Sequence, residues 1–284
     1  MNNKQLRFWF GRVLFYLLVV VILVYTIFPF YWAFVSSLKD NDSITSADVT
    51  YWPENPSLAN YEFVLEEPSF LLALRNSIVV AASVTLLSLV IGALGAYALG
   101  RFRFQGRRPV LYTVLAMTMF PQIAVLGGLF QIIFNLGFFN TLWALIFTYL
   151  IFTLPFTVWV LTSFFQGMPR DLEEAAYVDG ASPFQTFYRV LLPLSMPGMV
   201  TTGLLAFIAA WNEFLFAITF TQSPEMRTIT FAINNFATQS IGGFEIPWGP
   251  IMAASVVVTI PLIVLALIFQ RRILAGLTAG AVKG

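Results

Sequence analysis

The sequence contains no cysteine and no histidine, and only 10% of its residues are charged. The chain therefore has no thiol nucleophile, no imidazole base and no thiolate or imidazole ligand for zinc or haem iron, which excludes most of the chemistry that membrane enzymes use. It also has no Gly-x-x-x-x-Gly-Lys-Ser/Thr sequence, so it should not bind ATP through a Walker A loop. Because no disulfide can report the compartment, the orientation of the chain has to come from the placement of its charges.

Apolar residues make up 58% of the sequence and aromatic residues 17%. Soluble domains average roughly 45–50% apolar and about 25% charged residues, so the composition is that of a membrane protein. A helix needs about 20 mostly apolar residues to cross roughly 30 Å of hydrocarbon, and its backbone amides must be hydrogen-bonded within the segment. We therefore predict an all-α integral membrane protein with six transmembrane helices. Their approximate positions are 13–35, 78–99, 110–134, 142–165, 199–220 and 251–269.

Basic residues are concentrated on one side of the six predicted helices. Twelve of the fifteen Lys and Arg residues fall on that side, in the two termini and in the segments that follow the second and fourth helices. The positive-inside rule then places both termini in the cytoplasm. Residues 1–12 are predicted to be a cytoplasmic N-terminus, 13–275 the transmembrane domain, and 276–284 a cytoplasmic tail that is flexible on its own. A net charge of +1, with basic residues at helix ends, gives no sign of a nucleic-acid partner.

The polar segment between the fourth and fifth predicted helices, residues 168–197, has an ordered pattern. Glu-Ala-Ala is followed after three residues by Gly, and after nine more by an aliphatic residue, one further residue and Leu-Pro. The pattern is formed by Glu174, Ala175, Ala176, Gly180, Val190, Leu192 and Pro193.

Local rules predict a helix, a sharp turn and a second helix in this segment. Acidic side chains in the first turn suit the positive end of a helix dipole, and Gly180 ends that helix in the left-handed conformation. Ser182 is a natural N-cap for the second helix, which should run to about residue 191 and be ended by Pro193. Such a helix pair either docks in a groove of a partner protein or is an amphipathic connector that rests on lipid headgroups.

Few polar side chains lie within the predicted membrane helices. Glu213 is the one ionisable residue deep in such a helix, where a charge is costly in lipid and therefore indicates a function. One interpretation is that Asn212, Glu213 and Trp211 line the path of a solute, and the other is that Glu213 makes a hydrogen bond between helices. Pro121 removes a backbone hydrogen bond and bends the third helix, which makes Gln122 a further pathway candidate.

Two other segments are informative. Small residues recur every four positions in the second predicted helix, at Gly92, Ala96 and Gly100, and such a stripe allows another helix to pack closely. Residues 37–76 form the longest segment on the outer side, which either docks an external partner or caps the helix bundle.

Taken together, these patterns resemble those of inner-membrane permease subunits of carbohydrate ATP-binding-cassette (ABC) importers, of the maltose and trehalose type. The resemblance extends over nearly the whole chain. Besides residues 168–197, it is carried by Arg75-Asn76-Ser77, Ala96-Tyr97-Ala98, Arg101-Phe102-Arg103-Phe104, Met119-Phe120-Pro121, residues 207–213 and residues 270–284. Val190 departs mildly from the family pattern, since Ile is common at this position.

The resemblance implies which residues contact other subunits. Residues 168–197 would be a coupling loop that contacts a cytoplasmic ATPase, through Glu173, Glu174, Ala175, Ala176, Asp179, Gly180, Leu192 and Pro193. The tail would reach the interface between two ATPase subunits, through Gly276, Leu277, Thr278, Gly280 and Lys283. The substrate pathway suggested by the residues themselves consists of Asn212, Glu213, Trp211 and Gln122. No residue is assigned a catalytic role or a metal, and this chain would hold no cofactor, since ATP and Mg would bind to the partner subunits.

The function implied is that of a permease subunit, which moves a di- or oligosaccharide such as maltose or trehalose across the inner membrane by alternating access. Its expected partners are a homologous second permease, two cytoplasmic ABC ATPase subunits, an extracytoplasmic sugar-binding protein, the sugar and membrane lipid, but no nucleic acid. The chain would be non-catalytic and lie in the cytoplasmic (inner) membrane of a bacterium or archaeon. The competing functions are a self-sufficient carrier or channel and, disfavoured by the missing His and Cys, an integral-membrane enzyme.

Overall fold

The computed structural model describes residues 3–238 and 246–281, and the side chains of residues 8–238 and 246–272. Throughout this part of the chain the regular secondary structure is helical, as the composition predicts. The chain divides into two compact units. One consists of Met1–Pro68 with Ile233–Ile260, and the other of Ser69–Ala232 with Pro261–Gly284.

The α-helices of the described residues are numbered in chain order. They are α1 (Asn3–Ser37), α2 (Asn41–Thr45), α3 (Ala59–Glu66), α4 (Pro68–Arg101), α5 (Arg107–Thr118), α6 (Gln122–Asn135), α7 (Leu142–Gln166), α8 (Asp171–Val178), α9 (Pro183–Thr186), α10 (Leu192–Trp211), α11 (Leu215–Phe220), α12 (Ile229–Thr238) and α13 (Trp248–Ala281). A π-helical turn, Phe187–Leu191, joins α9 to α10, and a 3-10 turn, Pro224–Met226, precedes α12.

Within the described residues, five helical segments are long and apolar enough to cross a membrane. They are Phe8–Ser37, Pro68–Arg101, Leu142–Gln166, Pro183–Trp211 and Trp248–Arg272. The pair of α5 and α6 meets the same criterion when taken together, which gives up to six spans. The prediction of an all-α protein with membrane-spanning helices is therefore confirmed.

The third predicted span is broken, where the sequence predicts only a bend. α5 ends at Thr118, α6 begins at Gln122, and the two helices meet at 98°. Pro121 lies between them in an extended conformation, with φ −64° and ψ 124°. Because proline has no N–H to donate and its ring crowds the preceding turn, the helix stops and restarts instead of bending smoothly.

Close packing of α4, α7 and α10 forms the interior of the second unit. A Cβ atom built on Gly92 of α4 would lie 2.6 Å from Thr157 Cγ2 of α7, and one on Gly203 of α10 would lie 2.8 Å from Leu89 Cδ1 of α4. A buried hydrogen bond of 2.8 Å joins the hydroxyls of Ser88 and Thr153 between the same helices, α4 and α7. The predicted packing role of the small-residue stripe is confirmed at Gly92.

The fifth predicted span, residues 199–220, starts earlier than predicted and is interrupted before it ends at Phe220. The helical segment begins at Pro183 and ends at Trp211, and α11 starts only after a break at residues 212–214. The break has a local cause, because the Glu213 carboxylate accepts hydrogen bonds from the N–H groups of Phe216 (2.7 Å) and Ala217 (3.1 Å). These amides at the start of α11 have no partner within the helix, so the carboxylate favours a new helix at this point.

In the first unit, Asn60 of α3 is hydrogen-bonded to the end of α1 and to the residues that follow it. Its side-chain amide donates to the carbonyl oxygens of Ser37 (2.9 Å) and Lys39 (2.8 Å). The same side chain lies against the backbone of Gly249, where an added Cβ would come within 2.6 Å of Asn60 Oδ1. Most of α1 is exposed in this chain, and its most apolar stretch is not covered by any other part of the described residues.

Candidate functional site

The first helix of the 168–197 segment, α8, ends in a tight glycine turn. Gly180 has φ +81°, in the left-handed region that the sequence predicts for it. Its N–H donates to the carbonyl of Tyr177 (3.0 Å), and the N–H of Ala181 donates to that of Ala176 (2.9 Å). This pair of bonds is the Schellman motif, so the turn satisfies carbonyls at the end of α8 and reverses the chain sharply.

The second helix begins with a capping box. The Ser182 hydroxyl accepts from the N–H of Gln185 (3.3 Å), and the Gln185 side chain accepts in return from the N–H of Ser182 (2.8 Å). Pro183 occupies the first turn, where no N–H partner is needed. The predicted helix-turn-helix, with Gly180 and Ser182 at its corner, is confirmed in the structure.

Pro193 does not end the second helix, contrary to the prediction. The chain widens into the π-helical turn Phe187–Leu191, in which the N–H of Leu192 reaches the carbonyl of Phe187, five residues back. It then continues as α10 with Pro193 in its first turn. The wider turn leaves room for the proline ring. It also changes the hydrogen-bond pattern at the position where proline has no N–H to donate, so the helix continues past Pro193.

Aromatic packing anchors the second helix to the membrane helices. Phe187 and Leu191 are buried in a cluster with Tyr97 of α4 and with Leu161 and Phe165 of α7. The ring centroids of Tyr97 and Phe187 are 4.9 Å apart, and the Tyr97 hydroxyl donates to the carbonyl of Pro183 at 3.1 Å. Movement of this helix therefore has to involve the ends of α4 and α7.

Two of the residues predicted to contact an ATPase face the interior of the chain instead. Glu173 and Ala176 are buried, because positions three apart on a helix share a face and this face of α8 packs inward. The Glu173 carboxylate pairs with the guanidinium of Arg101. Leu192 is half-buried against the aromatic cluster, so these side chains support the loop instead of forming its surface.

The opposite face of α8 is open to solvent. Val178 is 88% exposed, and the predicted residues Glu174, Ala175, Asp179, Gly180 and Pro193 are also exposed. An open cleft of about 780 Å³ runs beside the turn between Ala175 on α8 and Arg189 beyond α9. Small side chains line the cleft together with Asp171, Asp179 and Arg189, so a partner surface can approach the backbone of the turn closely.

The predicted substrate-pathway residues differ in how accessible they are. Asn212 and Gln122 are exposed, with the Asn212 amide donating to the carbonyl of Ile208 at 2.8 Å. Trp211 is 1% exposed and Glu213 is 7% exposed, the latter with its carboxylate on the α11 amides described above. Of these four side chains, only those of Asn212 and Gln122 are accessible to a solute in this conformation. Among the residues that the structure describes, no group of three or more acidic, His or Cys side chains could hold a metal ion.

The C-terminal tail is helical over its described part, where the sequence predicts a flexible end. α13 continues to Ala281, so Gly276, Leu277, Thr278 and Gly280 lie on its last turns, where the side chains are not described. No proline interrupts this stretch, and the isolated glycines are tolerated in a helix at modest cost. Lys283 lies outside the described residues.

Sequence reasoning missed Arg101 and Tyr97 as residues of this site. Both are buried on α4, four positions apart, and each holds one helix of the 168–197 segment. In the sequence, Arg101 counts among the basic residues that orient the chain, and both residues lie in segments that carry the family resemblance, but neither pattern links them to this site. A signal was available, because a buried arginine at the end of an apolar helix needs a carboxylate or carbonyl partner nearby.

Comparisons with known proteins agree with this architecture. The family described as the binding-protein-dependent transport system inner membrane component matches residues 86–278. The trehalose/maltose transport system permease protein of Thermococcus litoralis is 44% identical, over 96% of this chain and 97% of that protein. The trehalose transport system permease protein of Mycobacterium tuberculosis is 42% identical, over 92% and 93% respectively. A chain of a bacterial ABC transporter involved in the import of the acidic polysaccharide alginate superposes with a TM-score of 0.80 at 21% identity, covering 95% of this chain and 98% of that chain.

Proposed function

Since the chain belongs to the family of binding-protein-dependent transport system inner membrane components, we propose that it is the permease subunit of an importer for an α-linked di- or oligosaccharide. It is a multi-pass inner-membrane protein and a transport subunit of a carbohydrate ABC importer. The energy comes from ATP hydrolysed on separate subunits, which also hold the Mg, and the sugar crosses by alternating access.

The helix-turn-helix of residues 168–197 carries this proposal. We call it the coupling loop. Its buried side is held to α4 and α7, and its exposed side offers an open cleft lined by small and charged side chains. A carrier that worked alone, or an enzyme, would have no use for a docking surface fixed so firmly to its membrane helices. A partner that moves during its own reaction cycle, such as an ATPase, fits this arrangement.

The full assembly contains this chain, a homologous second permease, two cytoplasmic ATPase subunits and an extracytoplasmic sugar-binding protein. The coupling loop and both termini lie in the cytoplasm. The uneven distribution of basic residues supports this orientation, since twelve of the fifteen lie on the side of the loop and the termini.

The proposed substrate class rests on the named relatives and on polar side chains at the breaks in the third and fifth spans. Asn212 and Gln122 have exposed amides that can donate to and accept from sugar hydroxyls, and the described part of the chain holds no group of three or more acidic side chains placed to bind a metal ion. Trp211 and Glu213 would join the pathway only after a rearrangement that frees them from their present contacts. A maltose- or trehalose-like glucoside is the substrate that these features favour.

Reconstitution tests the function. The complete transporter is placed in liposomes with its binding protein, and ATP hydrolysis is measured with maltose, trehalose, an amino acid or phosphate. We expect a glucoside to stimulate ATP hydrolysis. If the amino acid or phosphate stimulates it and neither sugar does, the proposed substrate class is refuted.

Cross-linking tests the coupling loop separately. The chain has no cysteine, so a single Ala175→Cys substitution provides a unique attachment point on the exposed face. We expect it to cross-link to an ATPase subunit. Leu267→Cys, on an exposed apolar position of α13, is the control and should not.

A further inference from the structure

Arg101 is a buried arginine at the point where α4 ends. Its side chain is 4% exposed, and its guanidinium makes several hydrogen bonds. Nε donates to Glu173 Oε2 at 2.8 Å, and Nη2 lies 2.5 Å from the same oxygen. The other donations go to the carbonyl oxygens of Phe165 (3.1 Å), Met168 (2.9 Å) and Pro169 (3.2 Å).

These partners come from three consecutive parts of the chain. Phe165 is in the last turn of α7, Met168 and Pro169 form the connection to the coupling loop, and Glu173 is in the first turn of α8. One side chain of α4 therefore holds the end of one membrane helix, the connection that leaves it and the beginning of the loop.

A second arginine leaves Arg101 free for this role. The last carbonyls of α4 itself are partly satisfied by Arg107, whose Nε donates to Leu99 (2.6 Å) and whose Nη2 donates to Gly100 (3.1 Å). Arg101 can then point away from its own helix. The planar guanidinium has five donors in a fixed fork, whereas a lysine ammonium concentrates three donors at one point and could not span the same set of acceptors.

Tyr97, one turn earlier on the same face of α4, holds the other half of the loop through its bond to the carbonyl of Pro183. The last two turns of α4 thus contact both helices of the coupling loop, α9 through Tyr97 and α8 through Arg101. The face of α8 held by Arg101 lies opposite the exposed face that carries Val178.

We propose that Arg101 is a positioning residue of the coupling loop, which fixes α8 to the ends of α4 and α7 so that displacement of the loop is passed directly to the membrane helices. The proposal rests on the proposed function, because it assigns a purpose to the loop's attachment. Without Arg101 the loop would still bind its ATPase, but part of the displacement would be lost in movement of α8 alone.

The test uses the complete transporter with Arg101→Gln, Arg101→Lys or Glu173→Gln in this chain. Arg103→Gln, an exposed arginine two residues further on, is the matched control. Spin labels on cysteines that replace Val178 of α8 and Leu94 of α4, both exposed, report the distance distribution between the loop and its membrane helix. ATP hydrolysis with and without sugar and binding protein reports coupling.

We expect Arg101→Gln to broaden the distance distribution and to lower sugar-stimulated ATP hydrolysis roughly tenfold, within the range of about 5–150-fold that is typical of energetic coupling between two sites. The Ala175→Cys cross-link to the ATPase should persist at normal complex abundance. Arg101→Lys and Glu173→Gln should fall between Arg101→Gln and the parent, and Arg103→Gln should match the parent. A residue that served only stability would instead lower abundance and leave the hydrolysis per assembled complex unchanged.

Unchanged distances in the Arg101 and Glu173 variants, or unchanged coupling despite broadened distances, would overturn the proposal. If Arg101→Gln does not accumulate, Arg101→Lys and Glu173→Gln decide the question by the same two measurements. Failure of the proposed function gives a different result from failure of the Arg101 proposal. In that case Ala175→Cys in the otherwise unchanged chain gives no cross-link to an ATPase, whatever distances the spin labels report.

Discussion

Substituting Gly180 by valine should disconnect the permease from its ATPase while leaving it inserted in the membrane. Gly180 has φ +81°, and no heavy atom lies within 4 Å of the position that a Cβ would occupy. A side chain at this position therefore meets no neighbour, and the cost of the substitution is conformational. For an L-residue the left-handed region costs roughly 1–2 kcal/mol, and a β-branched residue such as valine lies at the unfavourable end.

A cost of this size changes the population of the turn appreciably. About 1–2 kcal/mol corresponds to a factor of roughly 5–30 in a local equilibrium. The two bonds of the turn, from Gly180 to Tyr177 and from Ala181 to Ala176, would be open for a correspondingly larger share of the time. Hydrogen exchange at these amides measures that opening directly.

A series of substitutions at Gly180 separates backbone conformation from side-chain bulk. Asparagine adopts the left-handed conformation more readily than other non-glycine residues. Sugar-stimulated ATP hydrolysis at equal complex abundance should therefore decrease in the order Gly, Asn, Ala, Val. Equal damage by Asn and Val would refute the conformational explanation, and unimpaired coupling in Gly180→Val would refute the importance of the turn.

Gly106 provides a matched control for this series. It also has a positive φ, of +88°, and no heavy atom within 4 Å of a built Cβ, but it precedes α5 and lies outside the coupling loop. Gly106→Val should carry a similar backbone cost without the loss of coupling.

Three further predictions concern other parts of the chain. Gly92→Ala should destabilise the folded protein by about 1–3 kcal/mol through overpacking against α7. Gly95→Ala should be nearly neutral, because its Cβ would meet its nearest neighbour at 3.6 Å. Thermal unfolding of both variants in detergent measures the difference. Deletion of residues 277–284 should lower sugar-stimulated ATP hydrolysis with unchanged membrane abundance, and an unaltered hydrolysis rate would contradict a tail contact with the ATPase. Asn212→Ala should reduce sugar transport at normal membrane abundance. Glu213→Ala should instead reduce the abundance of the protein, because two amides of α11 lose their acceptor. Sugar uptake and immunoblotting of the same membranes distinguish the two effects.

Elements set by local chemistry could be predicted from the sequence. Length and apolar composition identify the membrane helices, because lipid leaves few alternatives for the backbone. Gly180 and Ser182 define the corner of the coupling loop, because the conformational freedom of glycine and the capping ability of serine act over a few residues. Pro193 shows the limit of such rules, since a π-helical turn just before it removes the conflict that normally ends a helix at proline.

Features that depend on distant residues could not be predicted. Arg101 and Glu173 are 72 positions apart, and their pairing exists only because α4 and α7 lie side by side. Glu213 illustrates the same limit at short range. Its position in an apolar run indicates a charge within the membrane, but the break in the helix gives its carboxylate two backbone donors that no periodicity reveals.

The two faces of α8 explain how one short helix can serve both as an attachment and as a docking surface. The buried face, with Glu173 and Ala176, is held by hydrogen bonds and packing that need no partner protein. In the proposed assembly the exposed face is therefore already in its binding conformation before an ATPase arrives, and association does not have to supply the entropy of ordering the loop. The same rigidity determines the direction of coupling, because a loop that is ordered in advance cannot absorb a partner's movement by rearranging itself. In the proposed mechanism the movement then passes to α4 and α7 through Arg101, Tyr97 and the packed ring of Phe187.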